Sequence, residues 1–186
     1  MDFDTKTDEE IAHSAQKGDL NAFGILVKRY QDKIMRYGYR FLSQYEDRQD
    51  VVQDVFIRVY KNINSFDIKK RFSPWIYRIA HNTFINFIKK KSREPLSFFD
   101  PDTLFSHDIP DSSFEDERAQ KEIREILDQI LDKIDPKYRE PLLLYYYEEK
   151  DYKEIGEILH IPASTVGVRL NRGKKLMKQI KDQTYE

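Results

Sequence analysis

DYKEIGEILHIPASTVGVRLNRGKKLMKQIK, running from Asp151 to Lys181, is the stretch whose reading decides the fold. Asp151 stands three residues before Glu154, the spacing of a helix-starting capping box, and Ile155, Ile158 and Leu159 then recur at helical period. Ile161-Pro162 breaks that helix. A second one follows with Val166, Leu170 and Met177 inward. Two helices joined by so tight a turn read as a helix-turn-helix. Opposite its apolar stripe the second helix carries Ser164, Gly167, Val168, Asn171, Arg172 and Lys175, with Lys174, Lys178 and Lys181 beyond. Such a face suits a major groove: Arg172 offers a bidentate donor pair to guanine, Asn171 an amide to adenine, and Val168 an apolar contact to a thymine methyl. Ser164 and Thr165 lie where a helix N-terminus aims backbone N–H groups at phosphate. A plain helical hairpin with a basic solvated end has the same pattern, so the stretch alone leaves both readings open.

The rest of the chain narrows the class. In 186 residues there are 33 acids and 32 bases, a net charge of −1, which excludes a uniformly basic chain that coats nucleic acid. Charged residues make up 35% and apolar ones 39%, with 12 Phe, 12 Tyr and one Trp, enough for small cores in a heavily charged protein. Without Cys there is no disulfide framework, no Cys-ligated zinc and no thiol nucleophile, a composition that fits the reducing cytoplasm. The N-terminal stretch is acidic where a secretory leader is basic, and the longest apolar run, Leu142 to Tyr147, falls far short of the roughly 20 residues of a bilayer span. Neither export nor membrane insertion is expected.

Only 6 Gly and 7 Pro point to few turns and long helices. Helix starts are expected at Thr7 with Glu10, Ser43 with Glu46, Ser112 with Glu115 and Asp151 with Glu154, and at the cap-proline pairs Ser73-Pro74 and Asp135-Pro136. One apolar stripe joins Ala22, Phe23, Leu26, Val27, Tyr30, Ile34, Tyr37 and Phe41; another joins Val51, Val52, Val55, Phe56, Val59 and Ile63. A third helix from Pro74 to about Lys90 would complete a three-helix domain. Between 94 and 116 the chain holds seven acids, no Lys or Arg, and Pro95, Pro101 and Pro110. It reads as an acidic linker. Its Phe98, Phe99, Leu104 and Phe105 form either a local cluster or a docking segment. The expected architecture is all-α: a helical domain over 1–93, a flexible linker over 94–112 and a helix-turn-helix domain over 113–186.

Two further surfaces stand out. From Asn62 to Arg93 there are eight bases, among them Lys69, Lys70, Arg71 and Arg78, against the one acid Asp67, an excess that a neutral chain has concentrated in one place. Phe66, Phe72, Trp75 and Phe84 are interleaved with it, as on surfaces that stack single-stranded bases at about 1–3 kcal/mol each. Trp75 and Phe84 are more economically core residues, which leaves Ser65 to Ser73 as the exposed reading loop. Asn82 and Asn86, one turn apart, offer amides to the edge of an extruded base. On the second stripe's outer side Asp50, Gln53 and Asp54 share one helix surface, either for a basic protein partner or for solvent alone.

At this point the residues resemble a family. Ala22-Phe23, Tyr30, Asp50-Val51-Val52-Gln53-Asp54-Val55-Phe56, Tyr60, Ser65-Phe66, Phe72-Ser73-Pro74-Trp75, Tyr77-Arg78-Ile79-Ala80 and Asn82 resemble the promoter-melting domain of the extracytoplasmic-function sigma factors. Leu142 to Leu144, Tyr152, Glu154-Ile155, Ile161-Pro162, Thr165-Val166, Arg169-Leu170 and Arg172-Gly173 are similar to their second, −35-reading domain. The resemblance implies a non-enzymatic subunit, without cofactor, that binds core RNA polymerase and directs it to promoter DNA. It places Asp50, Gln53, Asp54 and Phe56 on the clamp helices of the largest subunit. It gives the −10 element to Ser65, Phe66, Asp67, Lys69, Lys70, Arg71, Phe72, Arg78, Asn82 and Asn86, and the −35 element to Ser164, Thr165, Gly167, Val168, Arg169, Asn171, Arg172 and Lys175. It also implies a cognate anti-sigma factor, which in this family is often membrane-bound. Gly167 and Val168 stand where the family usually has polar or basic residues, which implies a different −35 preference.

An enzyme is a poor alternative: His13, His81, His107 and His160 form no i,i+4 metal pair, and no Gly-rich phosphate loop is present. No catalytic residue and no metal site are expected. The stronger rival is a stand-alone helix-turn-helix regulator, which would need neither the Asp50–Asp54 surface nor a melting loop.

Overall fold

A computed structural model describes residues 5–91 and 126–185. As the sequence predicts, the described residues are helical and hold no strand, and the chain divides into two compact units. The expected boundaries near 93 and 113, the Ser112 start and the linker aromatics lie outside the described residues.

Among its described residues the first unit has four α-helices, the one expected from the Thr7 start joining the three of the apolar stripes. Helix α1 (Asp8–Gln16) opens with the expected capping box of Thr7 and Glu10 and buries Ile11 and Ala12. Gly18, at φ 91°, turns the chain into α2 (Leu20–Gly38), whose N-terminal N–H groups are capped by Asp19. Asp8 fastens α1 to α2. Its carboxylate takes a 2.7 Å ion pair from Arg29 and a hydrogen bond from the Tyr30 hydroxyl. Burial first, then Asp8, pushes the Tyr30 phenol far above its ordinary value, so it remains a donor.

Helix α3 (Tyr45–Asn62) starts without the expected Ser43 box: Gln44 occupies the cap and makes no side-chain bond. Arg48 takes over. Its buried guanidinium donates to the carbonyls of Leu42 and Ser43, both at 2.7 Å, and lies against the rings of Tyr39 and Tyr45. A 3-10 turn (Ile63–Ser65) leads to the loop before α4 (Phe72–Lys91). The expected Ser73 cap is also displaced. Phe72 already begins α4, its N–H donates to Glu9 of α1 at 2.9 Å, and the Ser73 side chain hydrogen-bonds Tyr30. At α4 a tertiary acceptor, Glu9, has replaced the local cap, while α3 starts without a side-chain cap.

The core holds both apolar stripes, with Ala22, Leu26, Ile34, Val55 and Val59 fully buried. At its far end Tyr37, Phe41, Tyr77 and Phe84 meet as edge and stacked pairs, Phe41 and Phe84 at 5.4 Å and 11°.

The second unit includes α5, described over 126–132, and α6 (Pro136–Tyr146), started by Asp135 with Pro136 at its first position. Then come α7 (Tyr152–Leu159) and α8 (Ala163–Tyr185). Leu142, Leu143, Leu144, Ile155, Ile158, Val166 and Leu170 fill its core. Met177, expected inward, is only half-buried; Gly173 takes the inward position, where a Cβ would stand 2.8 Å from Leu142. Among the described residues no helix is long and apolar enough to cross a membrane.

Gly38 packs directly under the Phe84 ring, and an added methyl group would lie 2.3 Å from its Cζ. Overpacking costs about 1–3 kcal/mol, more than the helix-propensity gain of up to about 1 kcal/mol. Gly38→Ala is therefore expected to lower the urea midpoint with little change in slope; an unchanged midpoint would show that the ring yields freely.

Candidate nucleic-acid interface

The loop between the 3-10 turn and α4 is strung between two buried rings. Phe66 is 4% exposed and Phe72 not at all, which corrects their expected place among exposed base readers. Phe72 meets Tyr30 edge-on at 5.4 Å, Phe66 meets Phe72 at 5.2 Å, and Trp75 closes the cluster 5.2 Å from Phe66. Trp75 itself is only half-buried. The rings form the floor of the loop and the residues between them its rim. Ser65, Asp67, Ile68, Lys69, Lys70 and Arg71 are all exposed. Asp67 shapes that rim: its carboxylate accepts from the Lys69 N–H at 3.0 Å and its carbonyl from the Lys70 N–H at 2.9 Å, an Asx turn that presents three cations in succession. Asn82 and Asn86 are exposed one turn apart on α4, and Arg78 is half-buried. Lys91 pairs with Asp47 at 2.6 Å, which reduces the cationic surface at the end of α4.

Helix α1 holds the loop at both ends. The Gln16 amide Nε2 donates to the carbonyls of Ile63 and Phe66, each at 2.8 Å. Glu9 accepts from the Phe72 N–H. Neither residue was marked by its local pattern, because both partners lie far along the chain.

On α3, Asp50 and Gln53 are exposed as expected, and Asp54 is bonded to Arg58 Nε at 2.8 Å, so part of its charge is answered within the helix. Phe56, expected among the polymerase contacts, is 9% exposed and packs mainly with the valine stripe. It helps line a shallow, largely apolar depression of about 380 Å³ with Phe23, Gln53, Ile57, Tyr60 and Lys61. Ile57 and Tyr60 are exposed at 45% and 49%. Gln53, Ile57 and Tyr60 fall at i, i+4 and i+7, a signal that the stronger valine stripe on the opposite face obscured.

In the second unit, α7 ends with His160 in the left-handed conformation, and the Ile161 N–H returns to the Gly156 carbonyl at 3.1 Å. A Cβ on Gly156 would stand 2.7 Å from the Ile161 carbonyl oxygen, so this turn needs glycine there. Helix α8 then exposes Ser164, Val168, Asn171, Arg172 and Lys175, one continuous face at helical period, with Thr165 half-buried at its shoulder. Gly167 and Arg169 lie at its margins. Gly167 is half-covered, its would-be Cβ 3.4 Å from the Tyr152 ring, and Arg169 acts electrostatically on Asp135 and Glu140 at the start of α6. Tyr145, Tyr146 and Tyr152 form an exposed aromatic group, with the Lys174 ammonium 5.4 Å from the Tyr146 ring centre.

Among the described residues no group of His, Cys, Asp or Glu is arranged to hold a metal ion. What the surfaces offer is cations, amides and rings.

Comparison with known proteins gives these surfaces a setting. Residues 26–94 match the family Sigma-70 region 2, and residues 124–177 match Sigma-70, region 4. The chain is 40% identical over 176 residues to the ECF RNA polymerase sigma factor SigW of Bacillus subtilis, an alignment that covers 90% of this chain and 93% of that protein. Its fold is shared with CnrH, solved in complex with the cytosolic domain of CnrY: TM-score 0.73, 22% identity, 96% of this chain and 99% of the other covered. It is shared also with the sigma factor RpoE of Bartonella quintana, solved with the anti-sigma factor NepR: TM-score 0.68, 15% identity, 88% and 98% covered.

Glu140 gives the second unit a pH dependence. Burial lifts its carboxyl to about 7, against the pull of Arg139 and Arg169 and with a smaller push from Asp135. A carboxyl raised on folding stabilises most below its unfolded value of 4.5, and that contribution is lost as pH rises through about 7. The loss is on the order of 2 kcal/mol once partial exposure is allowed for. Thermal unfolding of the full chain should show Glu140→Gln flattening the fall in stability between pH 5 and 8; parallel curves for the two chains would contradict the assignment.

Proposed function

This chain belongs to the extracytoplasmic-function sigma factors of RNA polymerase, and on that premise we propose how its surfaces divide the work. As a sigma factor it is not an enzyme: it binds core polymerase and directs it to promoters, reading the −35 element as duplex and melting the −10 element. We assign residues 1–93 to polymerase binding and the −10 element, 94–112 to the linker, and 113–186 to the −35 element.

The polymerase clamp helices dock on Asp50, Gln53 and Asp54, with the exposed Ile57 and Tyr60 adding apolar area that the acids lack. The melted −10 strand runs along the rim Ser65, Asp67 and Lys69 to Arg71, with Arg78, Asn82 and Asn86 beside it. Phe66 and Phe72 act from beneath as anchors. The α8 face of Ser164, Val168, Asn171, Arg172 and Lys175 enters the −35 major groove. Thr165 and Arg169 lie toward its phosphates, and Gly167 stands beside the Tyr152 ring at the margin of the face.

The observation that carries this division is a difference in construction. One cationic surface is a loop rim over buried rings, suited to an irregular strand; the other is a straight helix face with residues at 0, 4, 7, 8 and 11, suited to a regular groove. An anti-sigma factor is a further partner, a reading supported by the structural relative solved with one. The protein acts in the cytoplasm, where the polymerase is.

Transcription of a promoter library by purified core polymerase and this chain tests the assignment. Arg172→Ala is expected to lose about 1–3 kcal/mol of preference, concentrated at one −35 base pair. An equal loss on every sequence would make Arg172 a phosphate contact instead.

A further inference from the structure

We propose that α1 is the positioning element of the −10 loop, with Gln16 and Glu9 as its two clamps. The proposal rests on the assignment of the 65–73 loop to the −10 strand. At the loop's entry, the Gln16 amide donates both of its N–H groups, to the carbonyls of Ile63 and Phe66. Two carbonyl acceptors fix which end of the amide faces the loop, and the Gln16 oxygen is held from the other side by His13 Nδ1 at 3.4 Å. At the exit, Glu9 accepts the N–H of Phe72, the first residue of α4.

Glu9 and Gln16 are seven residues apart, two turns of helix, so they project from nearly the same face about 10 Å from one another. That spacing brackets the loop. Between the clamps the Asp67 turn and the Ser65 hydroxyl, which donates to the Asn62 carbonyl at 2.7 Å, order the backbone that presents the rim. Helix α1 is in turn fixed to α2 by Asp8 through Arg29 and Tyr30, while Arg29 also donates to the Lys6 carbonyl at 3.0 Å. The Tyr30 ring completes the frame by packing on Phe72. A reading surface must be held within a fraction of an ångström to discriminate bases, and here the rigid body supplying that constraint is a helix that none of the assigned DNA contacts occupies.

The test uses holoenzyme reconstituted from the full chain and core polymerase, with templates varied base by base across the −10 and −35 elements. Gln16→Met keeps the length and apolar stem of the side chain and removes both donors. It is expected to compress the ratio of best to worst −10 base about tenfold, the equivalent of one or two directional hydrogen bonds, and to leave the −35 ratios as in wild type. Glu9→Leu should do the same, whereas Glu9→Gln, whose amide oxygen still accepts from Phe72, should behave as wild type. This pair decides the matter even if Gln16→Met fails to fold. The proposal is overturned by unchanged −10 ratios in Gln16→Met and Glu9→Leu, by −10 and −35 ratios that fall together, or by Glu9→Gln as impaired as Glu9→Leu. A Lys69→Ser, Lys70→Ser, Arg71→Ser chain that reads and opens −10 elements as wild type does would instead remove the loop from the −10 strand, and the positioning role with it.

Discussion

The burial of Phe66 and Phe72 is the constraint on which the first unit depends. Each ring contributes about 1.5–3 kcal/mol by leaving water, while a base stacked on an exposed ring returns about 1–3 kcal/mol. Drawing either ring out to meet DNA would at best break even, and the cavity left behind adds to the cost. The rings therefore stay with Tyr30 and Trp75, and the side chains between them are the ones left exposed for the proposed strand contact. The same burial explains why α1 is indispensable. The backbone at Ile63, Phe66 and Phe72 has to be satisfied where the rings enter the core, and Gln16 and Glu9 satisfy it.

Charge follows the same economy. A chain of net charge −1 cannot attract DNA everywhere, so its cations are grouped where they act. In the first unit they crowd the loop rim, and the basic end of α4 is partly answered by Asp47. In the second they line α8, while Arg169, on the same helix, is drawn toward the acids at the start of α6. The α3 surface proposed for the clamp helices uses the opposite sign beside apolar Ile57 and Tyr60. Steering and grip are thus separated on one small protein.

Much of this was legible in the sequence. The capping boxes at Thr7 and Asp151, the Asp135-Pro136 start, both apolar stripes and the helix-turn-helix depend on neighbours within four residues, which periodicity and spacing report directly. The misplacements share one cause. Ser73 lost its capping role to Glu9 and bonds Tyr30 instead, partners that only the tertiary fold brings near. Ser43 lost its own because the chain there is braced by Arg48 and α3 starts uncapped. Phe66 and Phe72 belong to no helical stripe because they lie in or at the edge of a loop, yet they are core. Phe56 belongs to the valine stripe and obeyed it. Gly167, expected on the exposed face, is half-covered by Tyr152, fifteen residues away. Gln16 gave no signal, since a side chain that satisfies a distant backbone leaves no period in the sequence.

Permanganate reactivity of thymines across the −10 element tests the division of labour most directly. Holoenzyme with the native chain is expected to make them reactive, and holoenzyme carrying Lys69→Ser, Lys70→Ser and Arg71→Ser to leave them largely protected while still recognising the −35 duplex. Thymines as unreactive with the native holoenzyme as in free promoter DNA, or equally reactive with both, would contradict a loop rim that holds the opened strand.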